Sequence, residues 1–110
     1  MDIAFLSKSL RSLCTDETKA IDELGETSAA HLKRRLADIR ASDNVNDLIA
    51  GNPRTLETPN EDTYIIDIQN GLNIMFCANH NKNPNTSTGK IDWINVTRIK
   101  VIKIGVCNVY

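Results

Sequence analysis

The spacing of apolar residues changes from a helical period to a strand-like period at Gly51-Asn52-Pro53. Before these residues, leucine and isoleucine recur every three or four positions, as they do along one face of a helix. After them, β-branched residues alternate in part with polar ones, which is typical of half-buried strands. Helices followed by strands bury their apolar surfaces best when the helices pack on one face of a sheet. The pattern therefore predicts an α+β fold.

The helical half divides into two segments. The first follows Ser7, a residue type that caps helix N-termini, and ends at Gly25. Thr15 and Asp16 are also capping residues, so this segment is either one helix or two short helices with a bend. Thr27 or Ser28 is predicted to cap the N-terminus of the second helix, whose apolar stripe comprises Leu32, Leu36 and Ile39.

The strand half contains a hairpin and a final strand. Residues 63–68 and 72–77 are predicted to pair through a turn at Gln69-Asn70-Gly71, because Asn-Gly favours the positive φ angles of tight turns. Residues 96–106 form a last strand with one solvent-facing side, and residues 3–6 form a short first strand. A helical turn is expected within residues 45–50. The predicted order is β-α-α-β-β-β, with two N-terminal helices packed on a small, mostly antiparallel sheet.

Length and composition limit the class of protein. At 110 residues, with 41% hydrophobic and 25% charged residues, the chain matches one globular domain, so residues 1–110 are predicted to form a single domain. No apolar run approaches the ~20 residues that span a bilayer, and no export signal is recognisable, so a cytoplasmic protein is expected. The three cysteines have no CxxC pairing, which favours reduced thiols and predicts no metal site and no cofactor.

Positive charge is concentrated toward the C-terminus. The formal net charge of the whole chain is −1, yet Asp92 is the only acid from residue 79 onward. The same stretch carries five basic residues: Lys82, Lys90, Arg98, Lys100 and Lys103. A polyanion is therefore a candidate ligand of this part of the protein. The two histidines, His31 and His80, belong to no catalytic spacing that the sequence displays, and a structural or solvated role is the usual one for such residues.

Four stretches, taken in order, resemble a known family. They are residues 3–14, residues 32–41 followed by residues 45–48, residues 79–84 and residues 89–104, the last running from Gly89-Lys90-Ile91-Asp92-Trp93 to Lys103-Ile104. Their order is similar to that of the HigB-like branch of the RelE/ParE superfamily, the small toxins of bacterial type II toxin–antitoxin systems. The resemblance covers nearly the whole chain.

The resemblance implies a ribosome-dependent endoribonuclease that cleaves mRNA without a metal ion and inhibits translation. It implies a cognate antitoxin of the helix-turn-helix type, binding to the ribosome and mRNA, and contact with operator DNA only through the antitoxin. The catalytic candidates are His80, Arg54, Tyr110, Asn73 and Asn108. The RNA-binding candidates are Arg98, Lys100, Lys103 and Lys90.

The chain departs from the family pattern at positions that matter for cleavage. Asn73 stands where the family carries an arginine, and Cys107 and Asn108 replace its C-terminal tyrosine-histidine pair. Residues 57–62 form an acidic stretch where the family has a basic loop. An alternative interpretation is therefore a non-enzymatic binding module of the same fold, which inhibits a protein target or acts only in the antitoxin complex. A degenerate remnant of a toxin is the third interpretation.

Overall fold

A computed structural model describes residues 1–56, 63–69 and 71–106 of the chain. The elements are, in chain order, β1 (Asp2–Phe5), α1 (Lys8–Thr15), α2 (Glu17–Leu24), α3 (Glu26–Ala41), β2 (Arg54–Thr55), β3 (Thr63–Gln69), β4 (Leu72–Ala78) and β5 (Arg98–Val106). Short 3₁₀ turns occupy Val45–Asp47 and Trp93–Asn95.

The five strands form one sheet in the order β1-β5-β4-β3-β2. Strand β1 runs parallel to β5, and the other neighbouring strands are antiparallel. The predicted α+β class and the mostly antiparallel sheet are confirmed. The predicted order of elements is wrong in detail, because the described residues hold three helices and a short additional strand, β2.

Capping residues explain why the first helical segment forms two helices, α1 and α2. The Ser7 side chain accepts a hydrogen bond from the Leu10 amide at 3.2 Å and begins α1. Asp16 then ends α1, because its backbone is extended at φ −107° and ψ 105°, although its amide still donates to the Ser12 carbonyl at 2.8 Å. Its carboxylate begins α2 by accepting from the Lys19 amide at 3.3 Å. Of the two alternatives for the first segment, the pair of short helices is therefore correct.

Gly25 separates α2 from α3 in a single residue. Its φ angle of 87° lies in the region that only glycine adopts without strain, so the chain reverses there and is helical again at Glu26. The prediction that Thr27 or Ser28 caps this helix is wrong. Both residues lie inside the first turn of α3, and no side chain caps its N-terminus.

One face of the sheet carries the main core. Ile66, Ile74, Phe76, Ile99 and Val101 are buried on this face and belong to the same apolar cluster as the stripe of α3. Residues paired across neighbouring strands share a face, and the pairs Ile66–Ile74 and Phe76–Val101 follow this rule. The predicted apolar stripe of α3, Leu32, Leu36 and Ile39, is fully buried against the sheet.

The opposite face, called the second face here, is defined by the remaining alternate residues. By register, Arg54, Ile65, Met75 and Lys103 form one row across β2, β3, β4 and β5. Asp67, Asn73 and Gly105 form the adjacent row. Ile65 and Met75 are buried, and Leu56 and Ile102 pack against them, so the second face has a small apolar centre with polar flanks.

A bulge in β5 decides which residues reach the second face. Met75 pairs with Lys103, but the next residue, Phe76, pairs with Val101, so Ile102 is the extra residue. In a regular strand, Lys100 and Lys103 would point to opposite faces because they are three residues apart. The bulge places both on the second face.

None of the helices in the described part of the chain is long and apolar enough to cross a membrane.

Candidate functional site

The second face carries two of the predicted RNA-binding residues side by side. Lys103 is exposed and Lys100 is half-buried. Lys100 shares its cross-strand row with Cys77, Thr63 and Ala4, none of which is acidic. The two ammonium groups therefore form a positive patch along β5.

Arg54 lies at the β2 edge of the same face and is tied to Asp67. One guanidinium nitrogen, Nη2, donates to Oδ1 of Asp67 at 3.2 Å. The other, Nη1, donates to the carbonyl of Asn52 at 2.9 Å. Because two of its nitrogens have protein partners, the guanidinium plane is held in one orientation.

Asp67 is in turn fixed by backbone contacts. Its amide donates to the Gly51 carbonyl at 2.7 Å, and its carbonyl accepts from Nε of Arg35 at 3.3 Å. Nη1 of Arg35 also donates to Oδ2 of Asp38, its neighbour on α3, at 3.3 Å. This second bond holds the Arg35 side chain in place on the helix. A chain of polar contacts thus runs from α3 through Asp67 to Arg54.

Gly51 makes this arrangement sterically feasible. Its φ is 86°, and a Cβ atom there would lie 2.8 Å from the Asp67 carbonyl oxygen, 3.0 Å from Nε of Arg35 and in overlap with the Ile66 side chain. In the sequence, Gly51-Asn52-Pro53 marks only the change from a helical to a strand-like spacing of apolar residues. Gly51, Arg35 and Asp67 were not predicted to be members of a site, because their proximity depends on long-range pairing.

A shallow depression of about 530 Å³ opens beside this ion pair and is called the Arg54–Asp67 depression below. Its lining includes Asn52, Arg54, Asp67, Gln69, Gly71 and Leu72. Asn73 lies in the row of Asp67 but is only 1% exposed, so the structure places this catalytic candidate beneath the surface beside the depression.

His80 and Arg98 lie in a different place. They line a smaller depression of about 330 Å³ together with Asp2, at the end of the sheet where β4 ends and β5 begins. Arg98 forms an ion pair with Asp2 at 3.6 Å. The Nε2 atom of His80 accepts a hydrogen bond from the Thr97 amide at 3.1 Å, so Nδ1 carries the proton of the neutral ring.

Of the remaining candidates, Lys90 lines neither of these depressions. Lys90 lines a third depression with Thr55, Thr86 and Trp93, where Trp93 packs on Tyr64 with ring centroids 5.0 Å apart. Asn108, Tyr110 and the neighbouring Cys107 lie outside the described residues. The structure thus places Arg54 and Asn73 in adjacent rows of the second face, and it brings His80 and Arg98 together in another depression.

Two side chains away from these depressions have raised pKa values. Burial raises the pKa of the Cys14 thiol to about 11, and the nearby positive charge of Arg40 lowers it in part. Burial also raises the pKa of Tyr64. Among the described residues, no group of three or more His, Cys, Asp or Glu side chains comes close enough to hold a metal ion.

The chain was compared with known proteins in three ways. No protein-family model matches it, and no curated protein matches it in sequence. Among solved structures it is similar to a chain of the YoeB–YefM complex from Staphylococcus aureus, with a TM-score of 0.57 and 12% sequence identity. The similarity covers 97% of this chain and 97% of the other. At this identity the comparison shows a shared fold that extends over nearly the whole of both chains.

Proposed function

We propose that this protein is the toxin of a toxin–antitoxin pair and that it acts on translated mRNA. The observation that carries the proposal is the fold shared with a chain of the YoeB–YefM complex, a toxin–antitoxin complex, over 97% of both chains. The resemblance of the sequence to HigB-like toxins supports the same class. In this proposal the partner is a helix-turn-helix antitoxin, operator DNA is contacted only through it, and the site of action is the cytoplasm.

The positive patch of Lys100 and Lys103 supports contact with RNA. Lysine side chains bind phosphates through charge without reading sequence, which suits a protein that acts on many messages. Arg54 lies in the same cross-strand row as Lys103, three strand spacings or ~14 Å away. A single-stranded RNA laid across the second face would meet both ends of that row.

The proposed reaction is attack of an RNA 2′-hydroxyl on its neighbouring phosphate. It requires an oriented strand, a group that removes the proton, positive charge near the phosphoryl oxygens and a proton for the leaving 5′ oxygen. A guanidinium binds two phosphate oxygens at once, which is the role we propose for Arg54. His80, Tyr110, Asn73 and Asn108 are the candidates for the remaining steps.

One observation favours a second function, binding without cleavage. Arg54 and His80 line depressions that share no residue, and Nε2 of His80 already accepts a hydrogen bond from the backbone. The described catalytic candidates therefore do not converge on one phosphate. A protein with this arrangement would block its target by occupying it.

Expression of the chain without a partner tests the proposal. Growth arrest together with cleavage of translated messages, mapped by primer extension, is expected. Arg54→Ala/His80→Ala/Tyr110→Ala should abolish cleavage and arrest if the protein is a nuclease, and should leave arrest intact if it only binds. Unimpaired growth under verified expression of folded protein would refute the toxin proposal.

The RNA contact has its own test. Lys100→Ala/Lys103→Ala should weaken RNA binding and flatten its salt dependence, because two phosphate contacts are lost. Lys8→Ala/Lys19→Ala removes the same charge from α1 and α2 and serves as the control. If the two double variants had equal RNA affinity and equal salt dependence, RNA would not bind at the patch of Lys100 and Lys103.

A further inference from the structure

A cavity of about 360 Å³, called the helix cavity here, lies between α1, α2 and α3 and shares no residue with the Arg54–Asp67 depression. Its volume is within the range of ~300–1,000 Å³ that is usual for small-molecule sites. Ala20 of α2 and Ala29 of α3 face this space, and their short side chains leave it open. Its floor consists of buried side chains of the main core: Leu13, Ala20, Ala29, Leu32 and Leu36. The floor is therefore suited to an apolar group.

One end of the helix cavity combines a dry wall with a positive charge. Burial raises the pKa of the Cys14 thiol to about 11, so the thiol is neutral at pH 7 and presents an apolar surface. The charge that partly offsets this rise is Arg40, whose guanidinium therefore lies near Cys14. Among the residues that the structure describes, Arg40 forms no ion pair. An anion at this end would meet a guanidinium beside a surface that excludes water, where charge-assisted hydrogen bonds are strong.

The other charged side chains of the lining limit the charge of a ligand. They are Asp16 and Glu17 at the start of α2, and Lys33 on α3. The Asp16 carboxylate already accepts a bond from the Lys19 amide, and both acids lie where the helix dipole of α2 stabilises negative charge. They leave Arg40 available, but they would repel a second negative charge on the same ligand. The lining thus favours a single anionic group.

From this combination we propose that the helix cavity binds a monocarboxylate with an unbranched apolar tail, whose carboxylate is held by Arg40. The lining residues of α3 extend from Ala29 to Arg40, roughly 16 Å along the helix at ~1.5 Å per residue. An extended alkyl chain advances ~1.25 Å per bond, so a tail of about eight to ten carbons fits this length. The site is independent of the toxin proposal, because α3 packs on the main-core face of the sheet and not on the second face.

Titration of the purified full chain with butanoate, hexanoate, octanoate, decanoate and dodecanoate, followed by calorimetry, tests the proposal. Affinity should rise about fourfold for each added methylene as far as decanoate, because each one is removed from water, and should then level off. Octanoate should also raise the melting temperature.

The head group is tested at constant chain length. Octanoate should bind about tenfold more tightly than octanol, which is the lower end of the range for a hydrogen bond to a charged group. Octylamine and octanedioate should bind more weakly than octanoate, since one carries the wrong charge and the other a second carboxylate. Arg40→Gln should remove the preference for octanoate over octanol. Arg34→Gln, an exposed residue of α3 outside the lining, is the charge-matched control.

Two variants fill the helix cavity from different walls. Ala29→Leu adds a larger side chain from α3, and Cys14→Leu adds one from α1, so either should abolish the binding of octanoate. Ala30→Leu makes the same change at an exposed neighbour outside the lining and should leave binding unchanged.

Affinity that does not depend on chain length would overturn the proposal, as would octanol or octylamine binding as tightly as octanoate. Unchanged octanoate binding in folded Ala29→Leu or Cys14→Leu protein would overturn it too. If no member of the series binds to the folded chain, the proposal is wrong and the cavity is left to an apolar segment of a partner protein. The toxin proposal fails separately, because growth that is unimpaired by expression does not alter any of these affinities.

Discussion

Replacement of Gly51 by alanine probes the contact between the Gly51 turn, β3 and α3. The added Cβ would lie 2.8 Å from the Asp67 carbonyl oxygen and 3.0 Å from Nε of Arg35, and would overlap the Ile66 side chain. It would also be forced to keep a φ angle of 86°. Both effects act on the folded state, so Gly51→Ala should be destabilising.

The magnitude follows from two separate costs. A left-handed backbone costs an L-residue about 1–2 kcal/mol, and overpacking of a well-filled site costs about 1–3 kcal/mol. The sum is roughly 2–5 kcal/mol, which is a large fraction of the ~5–15 kcal/mol that stabilises a typical domain. Gly89 offers a control, because its φ is 84° but nothing lies within 4 Å of the place that a Cβ would take. Gly89→Ala should therefore show the backbone cost alone.

Urea unfolding followed by circular dichroism gives both free energies of unfolding, provided that the two variants share the same m-value. Gly51→Ala should be less stable than Gly89→Ala by about 1–3 kcal/mol. A difference below ~0.5 kcal/mol would mean that the Gly51 turn moves away from Asp67 and Arg35 at little cost. The description of Asp67 as a rigidly held residue would then be incorrect.

Three further predictions concern the remainder of the fold. Asp16→Ala should lower stability by about 1 kcal/mol because α2 loses its N-cap, whereas Asp16→Asn, which keeps an acceptor, should lose less; thermal melting distinguishes them. Phe76→Ala should cost about 3–5 kcal/mol, since Phe76 is fully buried and stacks on Tyr64 with centroids 5.5 Å apart; an unfolding midpoint close to that of the parent would contradict this packing. The Cys14 thiol ionises near 9.0 when unfolded, and its pKa is about 11 when folded, so stability should fall as pH rises through this window. Cys14→Ala should reduce that fall, and identical pH profiles would argue against burial of the thiol.

Local sequence accounts for the helical half of the molecule. Ser7 and Asp16 cap helices through bonds to residues three positions away, so the information lies within one turn. The stripe of Leu32, Leu36 and Ile39 likewise follows from helical periodicity alone. The start of α3 was not predicted correctly, because Gly25 ends one helix and begins the next without a side-chain cap.

The candidate site was only partly predictable. Arg54, Lys100 and Lys103 were identified from charge and from the family resemblance, and the structure places all three on the second face. The contacts of Asp67 to Arg54 and Arg35 were not predicted. These contacts join residues 13 and 32 positions apart, which no local pattern encodes.

The order of amino acids alone thus determined where most of the helices form, where the spacing of apolar residues changes and that the stretch from residue 79 onward is positively charged, because these properties depend on neighbours within a few residues. Tertiary structure decided which side chains meet. The extra residue Ile102 in β5 turns Lys100 and Lys103 to one face, and the close approach at Gly51 brings α3 to the edge of β3. Both outcomes depend on strand register and on packing between distant segments, and these are settled only when the whole sheet assembles.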